Sequence, residues 1–248
     1  MATRRRTTRV LLVPAVLALA LVLTACGSNW EQVLRPPRAD VTGIQVVAVF
    51  PFASWTVDPG LARSITDRVY RALRDSGWYE VIPPEQVESV LVQRGVDPRS
   101  VVGGQLAAEV AQELGADAYV AGVADYYFED ASMDAPYARP ASEPQEGVQW
   151  WVRQRTMVIV GMQGHMYNVH TMQEVHRWQG QREAEVYDAR QLNWVSADPP
   201  PPSVIPPVHR RDIPRAREEA IQRAVDSFAA DILPRYEWTQ REPDEQPR

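Results

Sequence analysis

The chain contains no lysine and a single cysteine, so all 26 of its basic residues are arginine and one thiol serves the whole length. One thiol excludes a disulfide framework and a thiolate metal cluster. Glycine loops that cradle phosphate or a dinucleotide are also missing: Gly103 and Gly104 open a helical pattern but lack the spacing and the preceding strand. An anion at that helix start stays conceivable, and a plain loop accounts for the glycines equally well. No glycine-flanked serine follows a strand pattern as a nucleophile elbow would. The sequence therefore implies no cofactor and no enzyme. Basic excess is absent too, since 32 acidic residues outnumber the 26 basic ones for a formal charge of −6. Such a balance suits a nucleic-acid binder poorly, because that binding relies on neutralising phosphates.

What is present is most specific at the start. Arg4, Arg5, Arg6 and Arg9 precede an apolar run over residues 10–22, followed by Leu23, Thr24, Ala25 and Cys26. These are the n-region, h-region and cleavage box of an export signal, and the run is short for a bilayer span of about 20 residues. The box resembles the bacterial lipoprotein signal, in which a Leu three residues before Cys and a small residue just before it present the thiol for diacylglyceryl transfer. On that reading residues 1–25 are removed and Cys26 becomes the lipid-modified amino terminus. Each buried methylene contributes about 0.8 kcal/mol, so two or more acyl chains anchor stably where one is marginal. Gly27 stands where retention at the inner membrane calls for Asp, which favours the periplasmic face of an outer membrane. Removal of residues 1–25 takes four arginines and no acid, leaving 22 basic against 32 acidic residues and a formal charge of −10.

Residues 26–43, with Pro36 and Pro37, read as a tether. Residues 44–52 are apolar and β-branched, as in a strand buried on both faces. Leu61, Ile65, Val69, Ala72 and Leu73 recur at helical spacing between Asp58-Pro59 and Gly77. A short strand at 78–82 precedes a helix through Val87, Val90 and Leu91, then a third helix from Leu106 to Leu114 closed by Gly115, then a strand over 118–128. Strands alternating with helices argue for parallel pairing through right-handed crossovers. Residues 156–169 and 174–187 are long strand patterns so close together that they must form an antiparallel hairpin. A final helix over 215–233 carries Ala216, Ala220, Ile221, Ala224, Val225 and Phe228 along one stripe, and Pro234 ends it. The expected fold is α/β, a single domain over 44–235 with a mixed sheet of parallel β-α-β units followed by an antiparallel hairpin and a C-terminal helix. The Pro-rich segments 129–149 and 188–214 read as surface excursions, and 236–248 as a disordered tail.

The motifs VAVFPF (47–52), GWYEVI (77–82) and GADAYVAG (115–122), in that order with the hairpin and closing helix, resemble the CsgG-like superfamily. That group includes curli-secretion lipoproteins, TolB amino-terminal domains and LpoB-type lipoprotein activators of penicillin-binding proteins. The resemblance implies an envelope assembly or regulatory protein rather than an enzyme. One departure stands out: the family often carries Thr-Gly in the hairpin turn, whereas Met172 follows Thr171 here. A secretion channel would need two membrane-spanning hairpins of alternating strands about ten residues long, and 129–147 shows no such alternation.

Three constellations bear on chemistry. With the turn centred between His170 and Thr171, His165 and His176 would oppose one another and hold a metal; polar residues on a solvated hairpin face explain them as well, and no metal is assigned. Asp125, Glu129, Asp130 and Asp134 lack the spacing and central glycine of a calcium loop. Tyr126, Tyr127 and Phe128 precede the first Pro-rich segment, and Trp150 and Trp151 follow it. Aromatic side chains are enriched where proteins bind partners, so these five are the candidate partner surface, the alternative being the rim of the core. The expected function is a non-catalytic lipoprotein, lipid-anchored at the periplasmic face of the outer membrane, that binds another envelope protein. Its rivals are a secretion-channel component and a small-ligand or metal-binding protein.

Overall fold

Val47 and Val49 point to one side of a strand and Ala48 and Phe50 to the other, and all four are fully buried, so the sheet they belong to is covered on both faces. The computed structural model describes residues 30–140, 148–194 and 196–240. The expected export signal, Cys26, residues 141–147, residue 195 and the tail beyond Gln240 lie outside the described residues. In chain order come β1 (Trp30–Arg35), β2 (Val46–Val49), β3 (Ala53–Ser54), α1 (Pro59–Asp75), β4 (Glu80–Ile82), α2 (Pro84–Gln93) and α3 (Gln105–Glu113). There follow β5 (Ala118–Met133), β6 (Tyr137–Pro140), β7 (Val148–Asn168), β8 (Glu174–Gln191), α4 (Ile213–Ala229) and β9 (Arg235–Gln240). No helix among the described residues is long and apolar enough to cross a membrane.

The helices start and stop on local signals. Asp58 caps α1 by accepting a bond from the Gly60 N–H at 2.8 Å, with Pro59 in the first turn. Gly77 and Gly115 follow α1 and α3 with φ of +65° and +77°, the left-handed conformation that closes a helix.

β4, β2 and β5 lie side by side and parallel, and β3 extends the parallel pairing along β5. β7 then runs antiparallel to β5 and β6, and β8 antiparallel to β7. This is the expected mixed α/β sheet. α1 and α4 cover one face, burying Leu61, Ile65, Leu73, Ile221, Val225 and Phe228 against Val47, Val120, Val160 and Met162. α2 and α3 cover the other, burying Val87, Leu91, Val110 and Ala111 against Ala48, Phe50 and Tyr119. Gly122 lets β5 and β7 pass, because a Cβ there would lie 2.2 Å from the Gln163 carbonyl oxygen and 2.3 Å from the Phe52 ring.

Three expectations need correction. Residues 30–35, within the expected tether, pair as β1 with 235–240, the start of the expected disordered tail, and form a ribbon. Ribbon and domain are separate compact units, the domain spanning residues 36–234 rather than 44–235. The domain starts earlier because Ala39 N–H bonds the Asp231 carbonyl at 2.9 Å and Val41 is buried. Second, 129–149 is no simple excursion: β5 runs on to Met133 and β6 pairs with Val148–Trp151 of β7. Third, much of 188–214 is pinned to the sheet: β8 continues to Gln191, and Leu192, Trp194, Val204 and Ile205 pack with Trp150 and Val152.

Candidate functional site

A β-bulge at Asp125 decides what β5 shows to solvent. The register shifts between Ala124 and Tyr126, and one extra residue sends every later side chain to the opposite face. Tyr127 consequently packs with the core under α1 and α4, its hydroxyl donating to Glu129 at 2.6 Å. Burial, then that carboxylate, push the Tyr127 hydroxyl well above its ordinary pKa. Tyr126 and Phe128 turn to the side of α2 and α3, which cover the parallel strands and stop short of this part of the sheet, and both are exposed.

On β7 the same face is set by register. Gly161 lies opposite Tyr126, Ile159 opposite Phe128, and Met157 opposite Asp130. β8 continues it with Gln181, Glu183, Glu185 and Tyr187. Tyr126, Phe128, Met157, Ile159 and Tyr187 thus form an apolar strip without a helix over it. Charges frame the strip. Arg155 pairs with Glu185 at 3.4 Å, Tyr187 donates to Glu185, and Arg153 lies 5.0 Å over the Tyr187 ring while pairing with Asp134 at 2.7 Å. Trp151 shares the face farther along β7, with the Arg139 guanidinium 5.1 Å over its ring. Of the five aromatics singled out in the sequence, Tyr126, Phe128 and Trp151 share this face. Tyr127 and Trp150 lie on the other. Trp150 is buried with Val152 and Leu192, its indole N–H bonded to the Ser196 carbonyl at 2.9 Å.

Behind Trp150 the segment that returns from β8 is clamped. Gln154, 2 % exposed, accepts from the His209 N–H at 3.0 Å and donates to the His209 carbonyl at 2.6 Å. Asp188, His209 and Asp212 come together here, their potential ligand atoms within 4.8 Å of one another. Two guanidiniums already occupy the carboxylate where a cation would sit: Arg190 and Arg211 reach Asp188 at 2.9 and 2.6 Å, and Arg190 donates to His209 Nε2 at 2.7 Å. Burial pushes the Asp188 carboxyl up, and the bond from Arg190 with the charges of Arg190 and Arg211 outweighs it. The arrangement is an ion-pair knot.

The hairpin histidines do not converge. His165 faces Arg177 and His176 faces Met166, because a bulge at Met166/Tyr167 moves the register by one. They therefore lie on opposite faces. His165 bonds Glu174, His170 lies exposed 3.6 Å from Asp117, and His176 packs against the Phe228 ring at 5.5 Å. The Gly103 turn meets the Tyr167 ring 3.5 Å from where a Cβ would stand, and the Gly104 carbonyl accepts from the Tyr119 hydroxyl at 3.4 Å. A separate cleft of about 670 Å³ opens at the C-terminal ends of β2 and β4, lined by Ser54, Thr56, Arg63, Glu85, Glu88 and Arg99 among others. Crevices at such strand ends are where α/β sheets bind small molecules.

No family model matches the sequence, and no curated protein does. Among solved structures, the chain is similar to the lipoprotein GNA1162 from Neisseria meningitidis, at 14 % identity over 62 % of this chain and 88 % of that one, with a TM-score of 0.40. It is similar to the PelC dodecamer from Paraburkholderia phytofirmans at 12 % identity over 83 % and 99 %, with a TM-score of 0.39. The LpoB C-terminal domain from Escherichia coli matches at 16 % identity over 57 % and 84 %, with a TM-score of 0.35.

Proposed function

We propose that this chain is a non-catalytic lipoprotein of the bacterial envelope, anchored through Cys26 at the periplasmic face of the outer membrane, whose domain binds another envelope protein. The observation that carries the reading is the apolar strip of exposed Tyr126, Phe128 and Tyr187 with half-buried Met157 and Ile159, on the part of the sheet that no helix covers. Apolar and aromatic centres with charged rims are the anatomy of protein interfaces. Asp130 and Glu183 flank the strip with no ion pair among the described residues and favour a partner with basic residues around an apolar centre. The CsgG-like resemblance of the sequence supports the same reading.

The test compares the wild-type chain with a Phe128→Arg, Ile159→Arg variant in affinity capture from membranes. The variant loses a protein that the wild type retains, while its melting temperature stays close, because Phe128 is exposed and Ile159 is half-buried on a face that no helix covers. Recovery of the same proteins by both chains sinks the assignment of this face. A second reading, a small-ligand protein, rests on the cleft at the C-terminal ends of β2 and β4. A ligand that binds only the native state raises the melting temperature, so a thermal-shift screen with Arg63→Ala and Arg99→Ala as controls decides it.

A further inference from the structure

The ribbon of β1 and β9 has one finished side and one bare side. Gln32 lies opposite Trp238, Val33 opposite Glu237 and Leu34 opposite Tyr236. Opposed residues share a face and neighbours along a strand alternate. Gln32, Leu34, Tyr236 and Trp238 therefore form one side, and Val33, Arg35, Arg235 and Glu237 the other. The second side is closed by charge, with Glu237 bonded to Arg235 at 2.7 Å and to Arg35 at 3.3 Å. The first is open: Leu34 is 47 %, Tyr236 66 % and Trp238 64 % exposed.

A lone two-stranded ribbon is marginal in water, and this one exposes Leu34, Tyr236 and Trp238 on a single face. Its place in the chain says what covers them. Cys26 stands four residues before Trp30, which is at most about 14 Å of extended chain. A lipid on Cys26 thus keeps the ribbon within reach of the headgroup layer. Tyr and Trp combine an apolar ring with a polar O–H or N–H and gather at that layer in membrane proteins. We infer that the Leu34, Tyr236 and Trp238 face is seated in the interfacial region of the membrane that holds the Cys26 lipid, as a second, non-covalent attachment. The inference rests on the lipid anchor proposed above.

The test uses the acylated full chain in vesicles of phosphatidylethanolamine and phosphatidylglycerol. Acylation consumes the only native thiol, so Gln32→Cys and Val33→Cys each accept one environment-sensitive NBD label, on the bare and the charged side respectively. Expected is a blue-shifted label at 32, quenched several-fold more by lipid carrying a shallow doxyl group than the label at 33. Tyr236→Ser with Trp238→Ser erases that contrast. Equal quenching at the two positions overturns the inference. So does a blue shift at 32 that grows with protein density and is not quenched by the lipid, which assigns the face to a second copy. The mass of the N-terminal peptide separates the two levels. An unmodified Cys26 refutes the anchor and this inference with it, whereas an acylated Cys26 with equal labels refutes the ribbon's seat alone.

Discussion

Met172 takes φ +58°, the one non-glycine residue among those described to hold a positive φ. The hairpin turn thus keeps a backbone conformation that glycine adopts freely, and a side chain bears the strain. Its neighbours hold it there: Asn168 Oδ1 accepts from the His170 and Thr171 N–H groups at 2.9 and 3.0 Å, and the Met172 N–H bonds the Asn168 carbonyl at 3.0 Å. A left-handed L-residue costs about 1–2 kcal/mol, and glycine returns about 0.5–1 kcal/mol of that as chain entropy. Met172→Gly is expected to raise stability by about 0.5–1 kcal/mol in urea unfolding; a loss would mean that the half-exposed Met side chain contributes packing the turn needs. His176 makes a second prediction. Burial pushes its pKa below the ordinary 6.5, against the Asp231 charge and a bond with the Phe228 main chain, and its Nε2 is buried without a hydrogen-bond partner. A depressed folded value means that the fold prefers neutral imidazole. The stability so gained is complete above pH 6.5 and is lost as pH falls through the folded value. Between pH 6.5 and 5.5 the loss is at most about 1.4 kcal/mol. Asp117, held below the usual carboxylate range by the Val46 and Gln45 N–H groups, responds only at lower pH, and the His176→Phe comparison separates this histidine from the other three. Urea midpoints at pH 7.5 and 5.5 should converge in His176→Phe, and an unchanged gap would assign the acid limb elsewhere.

Among the elements, the helices were legible from their own residues and the strands only in part. Asp58-Pro59, Gly77 and Gly115 are local signals, and the helices stand within a few residues of where they place them. The acids and prolines after Phe128 read as the end of β5, yet the open face accepts Asp130, and on the covered face Glu129 is met by the Tyr127 hydroxyl and the Arg210 guanidinium. The hairpin register went wrong by one residue because turn-centred pairing cannot register a bulge at Met166/Tyr167. The candidate site divides in the same way. Tyr126 and Phe128 announce themselves as aromatics. Met157 and Ile159 sit in a run apolar on both faces, and nothing in that run tells where α2 and α3 stop. The clamp on the second Pro-rich segment was invisible because it joins Gln154 to His209 across 55 positions. Gln154→Ala removes two bonds, each worth about 1 kcal/mol, and strands the His209 main chain. The expected result is about 2 kcal/mol of local destabilisation, read as faster amide exchange at His209 and protease nicking within 192–212, with exchange in α1 unchanged. Uniformly faster exchange throughout would make Gln154 part of the global core instead.

At the scale of the whole molecule, the doubly covered parallel sheet follows from patterns within short reach of one another, while the ribbon joins the two ends of the described chain and has no local signature. Six alternating residues with two or three apolar ones look like linker until their partner strand is known. The division has a thermodynamic consequence. The domain over 36–234 holds its own cores on both sheet faces, and the ribbon's bonds run between its own strands. If the ribbon contributes to attachment rather than to folding, a chain ending at Pro234 should unfold with a midpoint within about 2 °C of the full chain, since a change of about 0.5 kcal/mol moves a domain of this size by no more than that. The same truncation should raise the fraction of acylated protein released from vesicles by dilution or mild salt. A large fall in the midpoint would mean that β9 braces the domain, and unchanged release would leave the lipid as the sole attachment.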